Sequence, residues 1–200
     1  MQLIERLDAA RRRWNVLEHP FYRRWENGQL TTRELNAYAG EYRHAVVALA
    51  DVAEAAAPLA GSEHAEEERE HIDLWDDFAR ALDAEPGPAR LDGTAACSGA
   101  WTSAADPLEA LGILYAIEAG QPDVSTTKLD GLVTHYGFKA ETSATAYFSL
   151  HAERDHEHAA ESRELLERHA GPEDAERVVA AAERALKGNW ALLDGVDALR

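Results

Sequence analysis

The stretch "FSLHAERDHEHAAES", Phe148 to Ser162, sets three ligand-type side chains at spacings of four and three: His151, Asp155 and His158. Residues on a helix advance about 100° each, so these three fall within ~60° of one another. His156 lies well off that stripe. A buried helix normally presents Leu or Ala on such a face, whereas this one presents two imidazoles flanking a carboxylate. Either the face is wet, or something cationic sits against it.

Working outward, the 200 residues suit one domain, read as spanning 1–200, with a substantial core. A hydrophobic content of 46% argues for a globular chain and against disorder. The formal charge is −17, from 37 acidic and 20 basic residues. That excludes the basic footprint that nucleic acid and anionic membranes require. Ligand carboxylates neutralised by a bound cation account for part of the excess, and solvated helix surface for the rest. Cys97 is the only cysteine, so neither an intrachain disulfide nor a thiolate cluster is available, which fits a reducing compartment. "MQLIERLDAARRRW" lacks a signal-peptide apolar region, and no apolar run reaches the ~18–20 residues that cross a bilayer. The expectation is a cytoplasmic protein.

Helical signals recur along the whole chain. "LIERLDAARRRWNVL" is amphipathic and ends at His19-Pro20, and a short second helix closes at Asn27-Gly28. A Thr31/Glu34 capping box opens a helix running to Pro58, and "SEHAEEEREHIDLWDDFARALDA" forms the next. Pro86 to Asp106 reads as a long loop with at most a short helix. Asp106 and Pro107 start "DPLEALGILYAIEAG", which is expected to continue, kinked at Pro122, into "DVSTTKLDGLVTHYG". The helix holding His151 and "PEDAERVVAAAERALKGNWALLDGV" complete the chain. Strand signals are missing, so the fold class is all-α.

Other helices supply partners for the His151 stripe. Glu68 lies three residues before His71 and Glu67 four, so either shares a face with that imidazole, and His64 falls on the same side one heptad upstream. Glu118 stands alone in an apolar run, where an ionised carboxylate is expensive to bury without a cation. Glu41 and His44, again three apart, offer a further pair. Each has a plainer reading: Glu-x-x-His pairs arise by chance in so acidic a chain, the acidic run before His71 suits a solvated face, and Glu118 suits a cap. Glu and Glu-x-x-His elements projecting inward from several helices are nevertheless how bundles build two-metal carboxylate sites. Imidazole and carboxylate without thiolate suit iron, manganese or zinc, and many carboxylates favour a redox-active pair.

The order Glu-x-x-His, Glu in "YAIEAGQP", then His-x3-Asp-x2-His resembles the haem-oxygenase-like dimetal oxidases. Within them the chain is most similar to the CADD group, which includes 4-aminobenzoate synthases. "LEHPFYRRWENGQLTTRELNAYAGEY", "EHIDLWDDF", "LYAIEAGQPDVSTTKLDGL" and "YFSLHAERDHEH" carry that resemblance over nearly the whole chain. It implies a TenA- and PqqC-like helical bundle of about seven helices, a fold that also serves metal-free enzymes. It further implies His71, Glu118, His151, Asp155 and His158 as metal ligands, with Glu68, or alternatively Glu67, as the sixth. Fewer residues separate the acidic pair from the histidine here than in CADD, and Ile117 stands where CADD has tyrosine.

Tyr22 matches the tyrosine thought to be consumed as substrate, and Lys128 the lysine thought to supply the amino group; a packing aromatic and a surface charge are the plainer alternatives. The implied cofactors are two metal ions, Fe/Fe or Mn/Fe, with dioxygen as co-substrate and an external reductant as partner. A homodimer is the expected assembly. Two other readings stand beside the self-consuming enzyme: a dimetal oxidase of a diffusible amino acid, fatty acid or amine, and a metal-free helical binding protein.

Overall fold

A computed structural model describes residues 2–200, and among these there are nine α-helices, one 3-10 turn and no strand. The helices are α1 (Leu3–Arg13), α2 (Pro20–Glu26), α3 (Thr32–Ala60), α4 (Glu63–Ala81), α5 (Asp92–Trp101), α6 (Pro107–Glu118), α7 (Gln121–His135), α8 (Ser143–His169) and α9 (Ala175–Asp197). The all-α expectation holds, with more elements than the seven anticipated.

The differences have local causes. The first helix stops at Arg13 because Asn15 turns the chain: its side chain accepts the Leu17 N–H and caps a 3-10 turn over Val16–Glu18. Thr31 and Glu34 form the expected reciprocal cap of α3, which runs two residues past Pro58 before Gly61 closes it at φ +86°. Asp106 caps α6 by accepting from Leu108 and Glu109 N–H, both at 3.0 Å. The expected kinked continuation beyond Glu118 is instead a break at Ala119-Gly120, with Pro122 in the first turn of the separate α7.

Every residue of α6 from Leu108 to Glu118 is buried, which makes it the central helix. It packs against α3, α8 and α9, while α8 also packs against α4 and α7. A carboxylate on α6 can therefore meet side chains of α4 and α8 in the middle of the bundle.

The stretch 86–106, expected to be mostly loop, holds the ten-residue α5. Its small residues signal close packing rather than flexibility. A Cβ on Gly93 would lie 2.2 Å from the Ala191 carbonyl oxygen of α9, and one on Gly188 would lie 3.1 Å from the Cys97 Cα. Helix–helix approach here overrides weak intrinsic propensity. Gly93→Ala is expected to destabilise the chain by about 3 kcal/mol, because the obstacle is backbone. Gly99→Ala, whose Cβ would meet nothing within 4 Å, should be neutral or slightly stabilising. Thermal melts of the two variants check this, and equal melting temperatures would refute it.

No described helix is long and apolar enough to cross a membrane.

Candidate metal centre

On α8, His151, Asp155 and His158 are all buried and face α4 and α6, at 0%, 1% and 4% exposure. Each imidazole has one nitrogen anchored and one free. Nδ1 of His151 lies 2.7 Å from the Tyr147 carbonyl oxygen, so it donates there, and the buried Nε2 has no hydrogen-bond partner. Burial pulls the His151 pKa down to about 4, leaving a neutral ring with a free lone pair. Nε2 of His158 lies 3.1 Å from Glu67 Oε2, and its partnerless Nδ1 points inward, 3.8 Å from Asp155 Oδ1 and 4.0 Å from Glu68 Oε1. An outer hydrogen bond that fixes the tautomer while the other nitrogen faces inward is the usual arrangement of a metal-binding histidine.

The two acidic neighbours on α4 meet different surroundings. Glu68 is buried, with Oε1 3.1 Å from His71 Nδ1 and Oε2 unpartnered. Glu67 lies outside, held by Arg154 at 3.0 Å and by His158. Burial raises the Glu68 pKa, but His71 and His151 outweigh it and hold the group ionised below its ordinary range. The His71 ring lies 4.7 Å from that of His151. From α6, Glu118 enters fully buried with both oxygens unpartnered, and burial raises its pKa. Asp155 also has two unpartnered oxygens; burial, then the charges of Glu118 and Glu68, push its pKa up to about 9.

His64, one heptad before His71, also reaches this cluster. Its Nε2 is 2.8 Å from Glu118 Oε1, and its ring centroid is 4.1 Å from that of His158. Burial lowers its pKa, but Glu118, Glu68 and Glu67 reverse this and carry it to about 9.

Two groups of donors result: His64, Glu68, Glu118 and His158, and Glu68, His71 and His151, each with atoms within 4.8 Å of one another. Among the described residues, eight of the ten buried side-chain polar atoms without a hydrogen-bond partner belong to His64, Glu68, Glu118, His151, Asp155 and His158. Buried polar groups are nearly always satisfied. So many orphaned lone pairs in one place fit divalent cations bound by nitrogen and oxygen.

The Glu41/His44 pair does not join them. Glu41 accepts the Arg90 N–H and the Thr94 hydroxyl, which ties α3 to the start of α5. His44 is half-buried and lies outside both donor groups. That candidate is structural, since an acidic residue beside a helix N-terminus satisfies free N–H groups without any metal.

Beyond His151 lies an aromatic box around Lys128. Its Nζ is 5.0 Å from the ring centre of Tyr22, 5.4 Å from Tyr38, 4.6 Å from Tyr42 and 5.8 Å from Phe148. Lys128 is 1% exposed, and burial alone pulls its pKa down to about 7. The Tyr22 hydroxyl shares a 2.8 Å hydrogen bond with that of Tyr38. Trp25 fixes α2 on α7 by donating to the Lys128 carbonyl at 3.0 Å, and Gly131 leaves room for its indole. Tyr42, Trp75, Tyr147 and His151 follow in ring contact, at 5.1, 4.9 and 4.0 Å. Tyr38 and Tyr42, four apart in "LNAYAGEY", are the sequence signal for this box, carried by aromatic spacing and not by ligand-type residues.

Fold and site define a helical protein with a buried cluster of nitrogen and oxygen donors that could hold metal. Residues 39–190 match the iron-containing redox enzymes, and the chain belongs to that family. It is 30% identical over 214 residues to a 4-aminobenzoate synthase of Chlamydia muridarum, covering 97% of this chain and 89% of the relative. It is 29% identical to a 4-aminobenzoate synthase of Nitrosomonas europaea, covering 96% and 89%. Among solved structures, a haem-oxygenase-like domain of unknown function from Shewanella denitrificans superposes with a TM-score of 0.79 at 20% identity, over 100% of this chain and 93% of that one. A TenA homologue from Pseudomonas syringae gives 0.78 at 18%, over 98% and 91%. The haem-oxygenase-like fold expected from the sequence is therefore the fold observed.

Proposed function

We propose that the chain is a dioxygen-activating, non-haem dimetal oxidase that forms 4-aminobenzoate from its own Tyr22, with Lys128 as the nitrogen donor. The observation that carries the oxidase is the concentration of orphaned donors from α4, α6 and α8. Support for the product comes from relatives named 4-aminobenzoate synthase and from Lys128 Nζ lying over the Tyr22 ring.

Glu68, His71, Glu118, His151, Asp155 and His158 would hold an iron or manganese–iron pair which, reduced by an external donor, supplies dioxygen activation. The protein's own share is positional. Packing among Trp25, Tyr38 and Tyr42 excludes water from the box and holds the Tyr22 ring against Lys128. Burial keeps the Tyr22 phenol protonated and brings the Lys128 amine towards its neutral form near pH 7. Only the neutral amine has a lone pair with which to bond carbon. In this reading the Tyr22 Cα–Cβ bond breaks and Cβ is oxidised to a carboxylate with dioxygen as oxidant. The ring carbon loses its oxygen as water and bonds the Lys128 nitrogen, whose bond to Cε breaks as Cε is oxidised to an aldehyde, dioxygen again being the oxidant.

Tyr22→Phe should bind metal normally and make no 4-aminobenzoate. The unaltered chain should stop after a single turnover, with an intact mass lowered by the lost tyrosine carbons and the Lys128 nitrogen.

A second reading is oxidation of a diffusible substrate, for which a cavity of about 440 Å³ among α1, α6, α7 and α9 offers room. Gln121 and Asn189 line it and also lie against the Tyr42 phenol. Its size suits a small molecule. Many turnovers on an added compound, with Tyr22→Phe equally active, would select this reading and overturn the first.

A further inference from the structure

We propose that His64 is a metal ligand of this centre and that Glu68 is shared between its two ions. This rests on the dimetal reading above and adds a ligand to it.

His64 and His71 are seven residues apart on α4, two turns along, and so present their rings on one face. His64 Nε2 is 2.8 Å from Glu118 Oε1 and 3.9 Å from Glu68 Oε1, and His158 Nδ1 is 4.0 Å from the same Glu68 oxygen. Two donors bound to one ion at ~2.1 Å lie at most ~4.2 Å apart, so all three spacings suit a common ion.

An ion pair between His64 and Glu118 at 2.8 Å is the competing account. It engages at most one Glu118 oxygen and leaves the other, together with Glu68 Oε2 and the inward Nδ1 of His158, buried without partners. The ring of His64 lies 4.1 Å from that of His158, so both side chains reach the same space. A shared ion would engage all of these atoms.

Glu68 belongs to both donor groups. One ion then takes His64, Glu118 and His158, the other His71 and His151, and Glu68 joins them. With Asp155, the centre has four imidazoles against three carboxylates. The His71/His151 end adjoins the aromatic box through Tyr147, whose ring stacks on His151 at 4.0 Å.

The test loads the full chain with manganese(II) under anaerobic conditions and reads metal per chain by mass spectrometry and spin state by EPR. The unaltered chain should hold two coupled ions. His64→Ala should hold half as much, with an isolated manganese signal, and free imidazole should restore the second ion, because His64 is close enough to the surface for imidazole to enter. Far-UV circular dichroism checks folding, and His64→Gln replaces the Ala variant if that fails. Two coupled ions in the variant at unchanged affinity, or metal loss that imidazole does not repair, would overturn the ligand assignment. Fewer than two ions in the unaltered chain would instead overturn the dimetal reading.

Discussion

A chain carrying both His151→Ala and His158→Ala should fold, hold almost no iron or manganese, and lose the rise in melting temperature that added metal gives the unaltered chain. The two histidines belong to different donor groups, His151 with Glu68 and His71, and His158 with Glu118 and Glu68. The double change therefore removes a nitrogen from each. Both free nitrogens are buried and presented in a fixed tautomer, so no neighbour can take their place without rotating an anchored ring. For the unaltered chain, each ion at 100 times its dissociation constant should stabilise the native state by about 2.7 kcal/mol, because the ligands are assembled only on folding. For a domain of this size that is a rise of roughly 5–10 °C per ion. The double variant should show none of it. His156→Ala, on the same helix but exposed, should behave like the unaltered chain. Full iron content in the double variant would sink the assignment.

How much of this was legible in the sequence differs from residue to residue. Spacing placed His151, Asp155 and His158 on one stripe, and the structure buries all three towards α4 and α6. An apolar run around Glu118 marked a buried carboxylate, and α6 is the most enclosed helix of the fold. Choosing between Glu67 and Glu68 was beyond spacing, because residues one apart on a helix differ by about 100° and either can approach a histidine three or four later. What separates them is tertiary: α8 brings Arg154 and His158 over Glu67, and α6 brings Glu118 towards Glu68. Glu41 and His44 had the same local pattern, yet they face α5 instead. A stretch rich in Gly and Ala looked like loop because composition does not show that a neighbouring helix lies within touching distance of Gly93. Lys128 raised a question that only burial answers, since four aromatic rings from α2, α3 and α8 close around its ammonium.

That burial makes Lys128→Met the variant with the largest expected gain in stability. The Lys128 pKa falls to about 7 in the folded chain from 10.5 in the unfolded one, and desolvation is the cause. Between those values the unfolded chain binds more protons than the folded one, so the stability of the unaltered chain rises with pH across this window. Stability is therefore full above pH 10.5 and falls as pH drops through 7, below which the penalty is constant. At pH 7 the penalty is about 4 kcal/mol, the buried ammonium being offset in part by the faces of the surrounding rings. Met is unbranched, of similar length and uncharged, so it fills the box without the penalty. In the metal-free chain Lys128→Met should raise the melting temperature by roughly 10 °C at pH 7, and the gain should shrink steadily towards pH 10.5. Taking the difference between the two chains cancels every other titrating group they share. The same variant should make no 4-aminobenzoate, since the nitrogen donor is gone. A chain that is more stable and catalytically silent is what a buried reactant amine requires; a Lys128→Met chain that is less stable at pH 7 would show instead that the ammonium is held by favourable contacts and is no poised donor.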